Sequence, residues 1–393
     1  MTGATVYLDY NATTPVKPAV AEAVARAFAV GGNPSSVHRA GRLARRAVEE
    51  ARLRVAELAG AEAGAVIFTS GGTEANNLAL KGAAPRRLLI SAIEHDSILA
   101  PAAAAAAAGA AVTLVPVDED GIVDLAALER ALAAEAGPAL VSVMLANNES
   151  GVVQPVAEVA RRAHDAGAIA HCDAVQAPGR LPLDMAALGV DLLTLSAHKL
   201  GGPQGVGALV AAGGTAPSKL LHGGGQELGR RAGTENVPGI VGFGVAAELA
   251  AEDLGASART ASLRDDLEAR LAATAPELKV FGRGAERLVN TSCFALPGLA
   301  SETQVMALDL AGVAVSAGAA CSSGKVQPSH VLRAMAASED EAGSAIRVSL
   351  GWGSSERDID RLVEAWSELY CRVTTGRSEG RSEGRRERED RGA

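Results

Sequence analysis

Short apolar runs alternate with alanine-rich segments over the first 210 residues, and this alternation constrains the fold more than any other feature of the chain. The runs are rich in leucine and β-branched residues, which predicts strands covered by helices on both faces. Seven such runs occur, at 65–70, 86–92, 111–117, 139–145, 168–174, 190–196 and 205–210. Helical patterns accompany them at 39–59, 73–82, 96–108, 124–135 and 155–166. The alternation predicts an α/β domain around a mainly parallel seven-stranded sheet.

The pattern changes beyond about residue 250. The elements predicted there are a long helix at about 236–272, the apolar stretch ERLVNTSCFAL, a helix near 301–311, the strand SAIRVSL and a last helix at about 355–371. We interpret 251–373 as a smaller C-terminal α/β domain, which residues 1–13 join, and 14–250 as the large domain. The tail, 374–393, repeats GRSE and has no long apolar side chain, so it is predicted to be disordered.

The composition excludes several classes of protein. The chain has 37 basic and 46 acidic residues, a net charge of −9, and no basic stripe of the kind that binds nucleic acid. The alanine-rich run at 100–112 is too short and too weakly hydrophobic to cross a bilayer. The N-terminal sequence MTGATVYLDYNATTP lacks the basic and apolar regions of a signal peptide. We therefore expect a cytoplasmic protein with no direct nucleic acid partner and no membrane partner.

Lys199 stands in the stretch SAHKLGGPQGVG, directly after a predicted buried strand. In α/β proteins, groups just past the carboxyl end of a strand face the ligand crevice. From position alone, a loop lysine whose ammonium group merely reaches water is the commoner case. The neighbouring motifs decide between these two interpretations.

Two of these motifs suit a phosphate and a cationic ring. The segment SGGTEANNLAL leads from a strand through a glycine turn into a helix that Thr73 opens, and free amides at a helix start bind phosphate. A threonine that only caps a helix is ordinary, and no Walker-type Gly-Lys-Ser/Thr follows. In HCDAVQAPG, Asp173 ends another strand and Gln176 follows. Asp173 is either the partner of a ring nitrogen or a helix N-cap, with about even odds.

Two more motifs end at the same edge of the predicted sheet. ANNESGVVQP brings paired amides and an acid, and IEHDS brings His95. A lone histidine is usually structural, but this one shares its edge with a lysine, an acid and a phosphate-ready helix start. Pyridoxal phosphate requires a Schiff-base lysine, an acid for its ring nitrogen and a phosphate cradle. The set predicts this cofactor, with Lys199 as the Schiff-base lysine.

Nine motifs follow one another along the chain: GNPSSVHRAG, TSGGTEANNLAL, EHDS, NNESGVVQP, DAVQAPG, SAHKLGGPQGVG, GGGQELGRRAGTENVPGIVG, SAGAACSSG and IRVSLGW. With them the chain resembles the cysteine desulfurases, class V enzymes of fold-type I that use pyridoxal phosphate, over roughly residues 5–370. The resemblance implies a fold-type I transferase, a homodimer and L-cysteine as the substrate.

The resemblance also implies roles for the residues around the ring. Lys199 forms the Schiff base, Asp173 partners the pyridine nitrogen, and His95 stacks on the ring and moves protons. Asn148 and Gln176 bond the region of the phenolic oxygen.

The phosphate and the substrate have their own implied residues. The phosphate is held by Gly72, Thr73, Ser196 and His198, with Thr234 reaching across from the other subunit. Arg347, together with Asn148, binds the substrate carboxylate, for which the planar guanidinium fork is better suited than lysine.

Four cysteines occur, and Cys321 in SAGAACSSG is the one predicted to react. Small residues and glycine around it indicate an exposed loop, where reactive thiols are found. Cys172 and Cys293 lie in apolar strand patterns and are expected to be core thiols, and Cys371 to be incidental.

The resemblance implies that the substrate sulfur moves to Cys321 as a persulfide while L-alanine leaves. The segment is similar to the long-loop branch of the family, whose members pass sulfur to iron–sulfur cluster scaffolds or to tRNA thiolation proteins. No resident metal is predicted, and Cys321 is the candidate iron–sulfur ligand during transfer.

Two other functions compete with the desulfurase hypothesis. A selenocysteine lyase or another class V aminotransferase-like enzyme needs Lys199 and Asp173 but not Cys321. An interaction protein that binds the cofactor without turnover is the third hypothesis, which the intact lysine, histidine and cysteine disfavour.

Overall fold

The computed structural model describes residues 5–390, apart from 84, 136, 216, 318–320, 323–324 and 327. For residues 321–322, 325–326 and 375–390 it describes backbone alone. Among the residues so described, no helix has both the length and the apolar composition needed to cross a bilayer.

The strands are β1 (Val6–Tyr7), β2 (Val66–Thr69), β3 (Arg87–Ser91), β4 (Ala111–Val115), β5 (Ala139–Ser142), β6 (Ile169–Asp173), β7 (Leu192–Ser196), β8 (Gly207–Ala211), β9 (Lys279–Val280), β10 (Thr291–Ala295), β11 (Val313–Ala314), β12 (Ser316–Ala317), β13 (Cys321–Ser322), β14 (Lys325–Val326) and β15 (Ala345–Ser349).

The α-helices are α1 (Pro18–Val30), α2 (Arg39–Leu58), α3 (Gly72–Gly82), α4 (Asp96–Ala107), α5 (Leu125–Ala133), α6 (Val156–Asp165), α7 (Met185–Leu188), α8 (Val237–Gly255), α9 (Ser257–Thr274), α10 (Ser301–Leu310), α11 (His330–Ala334), α12 (Glu339–Ser344) and α13 (Glu356–Asp390).

The seven predicted strands form one sheet, in the order β2-β8-β7-β6-β5-β3-β4. The pairs from β7 through β4 are parallel, whereas β8 runs antiparallel to both of its neighbours. The α/β fold with a mainly parallel sheet is therefore confirmed. Because the parallel strands end at one edge, the residues that follow them lie side by side.

Helices cover both faces of this sheet. Neighbouring strand residues point to opposite faces, so Leu140 of β5 packs with α3 and α4, while Val141 packs with the layer that contains α2 and α8. At Gly207 the first residue of β8 approaches the backbone of Gly71, where an added Cβ would lie 2.6 Å from the carbonyl carbon. Only glycine fits there, which explains one glycine of SAHKLGGPQGVG.

A second core lies in the C-terminal part. Its sheet has the order β12-β15-β10-β9, and its core includes Leu267 of α9, Phe294 of β10 and Trp366 of α13. Leu8 belongs to the same core, and β1 pairs with β11. The division into 14–250 and a smaller domain of 1–13 with 251–373 stays a prediction.

The single helix expected over about 236–272 is wrong, because α8 and α9 meet at Ala256 instead. The first of them packs on the large core through Phe243, and the second on the smaller core through Leu267. Gly255, a weak helix former, lies at the point where the chain passes between the two cores.

The last helix is assigned through Asp390, whereas the sequence predicts a disordered tail over 374–393. Arginine and glutamate are good helix formers, so a helix anchored by Trp366 can continue into them. Disorder of this tail in solution stays a prediction.

Candidate active site

Lys199 follows β7 directly, in a short 3₁₀ turn at the carboxyl edge of the sheet. Its Nζ donates hydrogen bonds to the carbonyl oxygens of Asn11 at 2.6 Å and Ala12 at 2.9 Å. Burial lowers the pKa of the Lys199 amine to about 7, and the guanidinium groups of Arg347 and Arg180 add to the effect. A substantial share of this amine is therefore neutral near pH 7, as a nucleophile toward an aldehyde must be.

Asp173 is the last residue of β6 and is 7% exposed. Its Oδ1 accepts the backbone N–H of Val175 at 3.0 Å, and its Oδ2 accepts Nδ2 of Asn76 at 2.7 Å. A turn follows this residue and no helix begins there, so the N-cap interpretation is wrong. Each carboxylate oxygen keeps a lone pair, so a further donor such as a ring N–H can be accepted.

Ser196 and Gly72 meet where β7 ends and α3 begins. The Oγ atom of Ser196 is buried and has no hydrogen-bond partner. A Cβ added to Gly72 would lie 3.5 Å from Cβ of Ser196 and 3.1 Å from Cγ2 of Val175, so the glycine keeps the space in front of this hydroxyl open. Thr73 follows in the first turn of α3 and is exposed. A helix start with free amides and an unpaired hydroxyl is suited to a phosphate group.

His198 contacts a different segment. Its Nδ1 lies 3.2 Å from Oγ1 of Thr13, and burial, with the charge of Lys199, lowers the pKa of His198 to about 4. The imidazole is therefore neutral at pH 7. Toward a phosphate it offers a hydrogen bond and no charge.

His95 caps the N-terminus of α4 and is exposed. Its Nδ1 accepts the backbone N–H of Ser97 at 3.1 Å and lies 2.8 Å from Oγ of the same residue. Because Nδ1 is the acceptor, the proton of the neutral ring is on Nε2. The exposed ring is free to stack on a planar ligand.

Arg347 lies in β15 and is 6% exposed. Its Nη1 donates to the carbonyl oxygen of Asn148 at 2.9 Å and its Nη2 to Oδ1 of Asp9 at 2.7 Å, whereas its buried Nε has no partner. The structure thus brings Asn148 and Arg347 together, through the backbone of the former. The unpaired N–H leaves room for an anion at the guanidinium group.

Gln176 and Thr234 complete the predicted cofactor set. Gln176 donates from Nε2 to the carbonyl oxygen of Asn11 at 3.0 Å, and its Oε1 accepts from Arg180. Thr234 is exposed and lines an open cavity of about 500 Å³ together with Ser70. Its predicted reach into a second subunit stays a prediction.

Two of the cysteines are core thiols, as the sequence predicts. Cys172 and Cys293 are buried free thiols, and burial raises the pKa of each. The side chain of Cys321 lies outside the described residues. Its backbone forms β13, which pairs with β14 as a short hairpin within the segment that the sequence predicts to be a loop.

Sequence reasoning missed three residues that hydrogen-bond the predicted ones and a fourth, Glu94, that interacts with Asp173 through its charge. Asn76 bonds Asp173, Asp9 bonds Arg347, and Asn11 accepts the Lys199 amine. Glu94 is fully buried beside these groups. Burial, and then the charge of Asp173, raises its pKa well above the usual range.

A signal for all four was present in the sequence. Asn76 belongs to TSGGTEANNLAL, Glu94 to EHDS, and Asp9 and Asn11 to VYLDYNATTP, and all of these stretches lie within the residues over which the chain resembles the family. What the motifs lack is the identity of the residue that each one contacts.

The arrangement fits pyridoxal phosphate. It offers a partly neutral lysine amine, an aspartate with free lone pairs and an unpaired buried hydroxyl at a helix start. An unsatisfied buried hydroxyl costs about 1–3 kcal/mol, which a bound acceptor recovers. The donors at the edge match the cofactor's aldehyde, ring nitrogen and phosphate in kind.

Comparisons with known proteins agree in family and fold. The model of the family described as aminotransferase class-V matches residues 6–362. A cysteine desulfurase of Cereibacter sphaeroides is 46% identical over 367 residues, which cover 91% of this chain and 94% of that protein.

Two solved structures extend the comparison. A NifS-like protein from Rickettsia africae superposes with a TM-score of 0.86 at 36% identity, covering 93% of this chain and 99% of that one. SspA in complex with cysteine has a TM-score of 0.76 at 31% identity, covering 88% of this chain and 98% of that one.

Proposed function

We propose residue roles for this chain, which belongs to the cysteine desulfurases of the aminotransferase class-V family. It converts L-cysteine to L-alanine, with Lys199 as its reactive amine and Cys321 as its sulfur carrier. The observation that carries the proposal is the half-buried Lys199 amine with a pKa of about 7, at the end of the strand that also carries the unpaired Oγ of Ser196. An amine in this state serves as a nucleophile and as a base at neutral pH.

Pyridoxal phosphate, the family's cofactor, supplies when bound an electron sink for bonds broken at the substrate α-carbon. Lys199 would hold its aldehyde carbon, and Asp173 would accept a hydrogen bond from its ring N–H. His95 would stack on the ring, and Asn148 and Gln176 would bond the region of the phenolic oxygen.

The phosphate of the cofactor is assigned to the start of α3. Gly72 leaves space there, Thr73 and Ser196 bring hydroxyl groups, and His198 brings a neutral imidazole. The helix N-terminus adds its partial positive charge, which favours the dianion.

Arg347 binds the carboxylate of L-cysteine. Its Nε is buried and unpaired, while Asp9 holds Nη2 and the Asn148 carbonyl holds Nη1. Both contacts fix the plane of the guanidinium group, so the orientation of the substrate is set before the reaction.

Cys321 receives the sulfur. The C–S bond of L-cysteine breaks, an S–S bond forms on Cys321, and the substrate carbon takes up a proton, so that L-cysteine and the thiol give L-alanine and a persulfide. Atoms and electrons balance without an added oxidant or reductant. A thiolate is the attacking form, which requires an exposed position.

The test uses the holoenzyme and L-cysteine. We expect a yellow protein that forms L-alanine and, with a thiol reductant, sulfide, and mass spectrometry should show one added sulfur on Cys321. Cys321→Ala should lose sulfide release, and Cys371→Ala should retain it. A wild-type protein that forms no L-alanine from L-cysteine but acts on L-selenocysteine, with Cys321→Ala equally active on L-selenocysteine, would identify a selenocysteine lyase instead.

The active unit is assigned as a homodimer in which Thr234 reaches the partner's phosphate site. Large apolar side chains are exposed on the described part of the chain, among them Phe28 (72%), Val37 (87%) and Leu228 (68%). Leu228 is also held at a φ of 56°, a conformation that costs a non-glycine residue about 1–2 kcal/mol. A strained and exposed leucine is explained when a second subunit covers it.

Mixed dimers test this assignment. Co-expressed Lys199→Ala and Thr234→Ala chains form one intact site per mixed dimer if Thr234 acts across the interface, and activity returns. If Thr234 acts within its own chain, both sites stay defective and the mixed dimer remains as slow as the parents.

The persulfide is assigned to a cytoplasmic sulfur acceptor, an iron–sulfur cluster scaffold or a tRNA thiolation protein, because the Cys321 segment resembles the long-loop branch. Measuring persulfide transfer from labelled Cys321 to each purified acceptor shows which of the two classes receives the sulfur. Transfer to neither class, alongside rapid sulfide release, would contradict this assignment.

A further inference from the structure

Four buried or edge residues form one line of hydrogen bonds through the candidate site. Nδ2 of Asn76 lies 2.7 Å from Oδ2 of Asp173 and 2.8 Å from Oγ of Ser97. Oγ of Ser97 lies in turn 2.8 Å from Nδ1 of His95. The line joins the acid assigned to the ring nitrogen with the histidine assigned to the ring face.

Two groups set the direction of the hydrogen bonds in this line: the Asp173 carboxylate, which accepts from Asn76, and the Ser97 backbone N–H, which donates to Nδ1 of His95. Asp173 only accepts, so Asn76 presents its two amide hydrogens, one to Asp173 and one to Ser97. The Ser97 hydroxyl therefore accepts from Asn76 and gives its own hydrogen to His95 Nδ1. Nδ1 also accepts the Ser97 backbone N–H at 3.1 Å, which leaves the ring proton on Nε2.

Burial shows that the line is not an accident of flexible surface groups. Asn76 is 1% exposed and Ser97 is 7% exposed, and Oδ1 of Asn76 has no partner. A reversed amide would pair that oxygen but turn it against the Asp173 carboxylate. The structure leaves one acceptor unsatisfied and keeps both donors in place, which is the more favourable arrangement beside a carboxylate.

We propose that Asn76 and Ser97 are positioning residues that couple Asp173 to His95, an inference that rests on the proposed function. The Asp173 carboxylate holds the Asn76 amide, Asn76 donates its second N–H to Oγ of Ser97, and the Ser97 hydrogen is thereby directed at Nδ1 of His95. The ring is thereby held in one orientation, with its Nε2 proton directed away from α4. Asp173 and His95 then act as one unit rather than as two independent groups.

The experiment is a double-mutant cycle with the holoenzyme. Asn76→Ala and Ser97→Ala should each lower kcat about 10-fold with KM changed less than about 2-fold, and the double variant should also be about 10-fold slower. Ser97→Thr keeps the hydroxyl and should restore the rate. Asn77→Ala is the matched control, because that side chain bonds only the Thr73 carbonyl among its described contacts.

A second readout does not depend on turnover. In cofactor-free protein labelled with ¹⁵N-histidine, Asn76→Ala should move the Nδ1 resonance of His95, although residue 76 does not touch the ring, and Asn77→Ala should leave it in place. Rates that multiply to about 100-fold in the double variant, or an unmoved resonance, would overturn the coupling. A wild-type protein that never forms L-alanine would instead overturn the proposed function, and the resonance would still decide the coupling.

Discussion

Two polar clusters lie two residues apart on the same strands, and they differ in how completely their hydrogen bonds are paired. In the inner cluster, His171 of β6 bonds Oγ of Ser142 at 2.9 Å and Oγ1 of Thr194 at 3.1 Å. Both ring nitrogens are satisfied, and burial lowers the pKa of His171 to about 3. This cluster is complete without any ligand.

The outer cluster begins at Asp173 and Ser196, each two residues further along its strand. There Ser196 Oγ and Arg347 Nε are buried without partners, and the Lys199 amine has carbonyl oxygens in place of a carboxylate. Unpaired buried groups cost free energy. The comparison teaches that the inner cluster is satisfied by its own residues, whereas the outer cluster keeps unmet donors, Ser196 Oγ of β7 and Arg347 Nε of β15, which a ligand can pair.

The largest expected effect separates the two clusters by activity. Lys199→Ala should lower kcat at least about 10³-fold, since the lysine is the reactive amine and the base. Thr194→Val, in the inner cluster, should leave kcat per folded molecule within about 2-fold. Steady-state alanine formation measures both, and a large loss in Thr194→Val would show that the inner cluster belongs to the site.

The free energy of unfolding should depend more on the inner cluster than on the outer one. His171→Ala should destabilise the cofactor-free protein by about 3 kcal/mol, because it opens a cavity and leaves two buried hydroxyls unpaired. Urea unfolding followed by circular dichroism measures the change. A stability equal to that of the wild type would mean that the cluster relaxes or fills with water.

The pH dependence of stability should reveal the Lys199 amine. Its pKa is about 7 when folded and 10.5 when unfolded, so between these values the unfolded chain binds more protons. Stability then rises with pH in this window, and the cost of the buried charge is fully present below pH 7. From pH 7 to 9 the wild type should gain about 2 kcal/mol over Lys199→Met.

Urea midpoints of both cofactor-free proteins at the two pH values check this gain. An equal change in stability between the two pH values for the wild type and Lys199→Met would contradict a lowered pKa of Lys199.

The smallest effect concerns the unpaired hydroxyl. Ser196→Ala should weaken pyridoxal phosphate binding about 10-fold, through the loss of one hydrogen bond to a charged group. The cofactor-free protein should not lose stability, because the removed hydroxyl had no partner. Fluorescence titration and thermal melting measure the two quantities, and a clear drop in melting temperature without cofactor would show a hidden partner for Ser196.

Much of this protein was determined by the sequence alone. The seven apolar runs correspond to the seven strands, and the strand ends led to the prediction of Lys199, Asp173 and His95 as site residues, because parallel strands end at one edge of a sheet. The single helix over 236–272 failed because a local pattern does not show that α8 and α9 pack on different cores.

Only the tertiary structure decided which groups pair. Asn76 reaches Asp173 across 97 residues of sequence, and Arg347 reaches Asp9 across 338. Local periodicity encodes which side chains are buried, since burial follows from the repeat of helix or strand. The partner of a buried donor depends on strand order and on the meeting of the two cores, and no stretch of neighbouring residues carries that information.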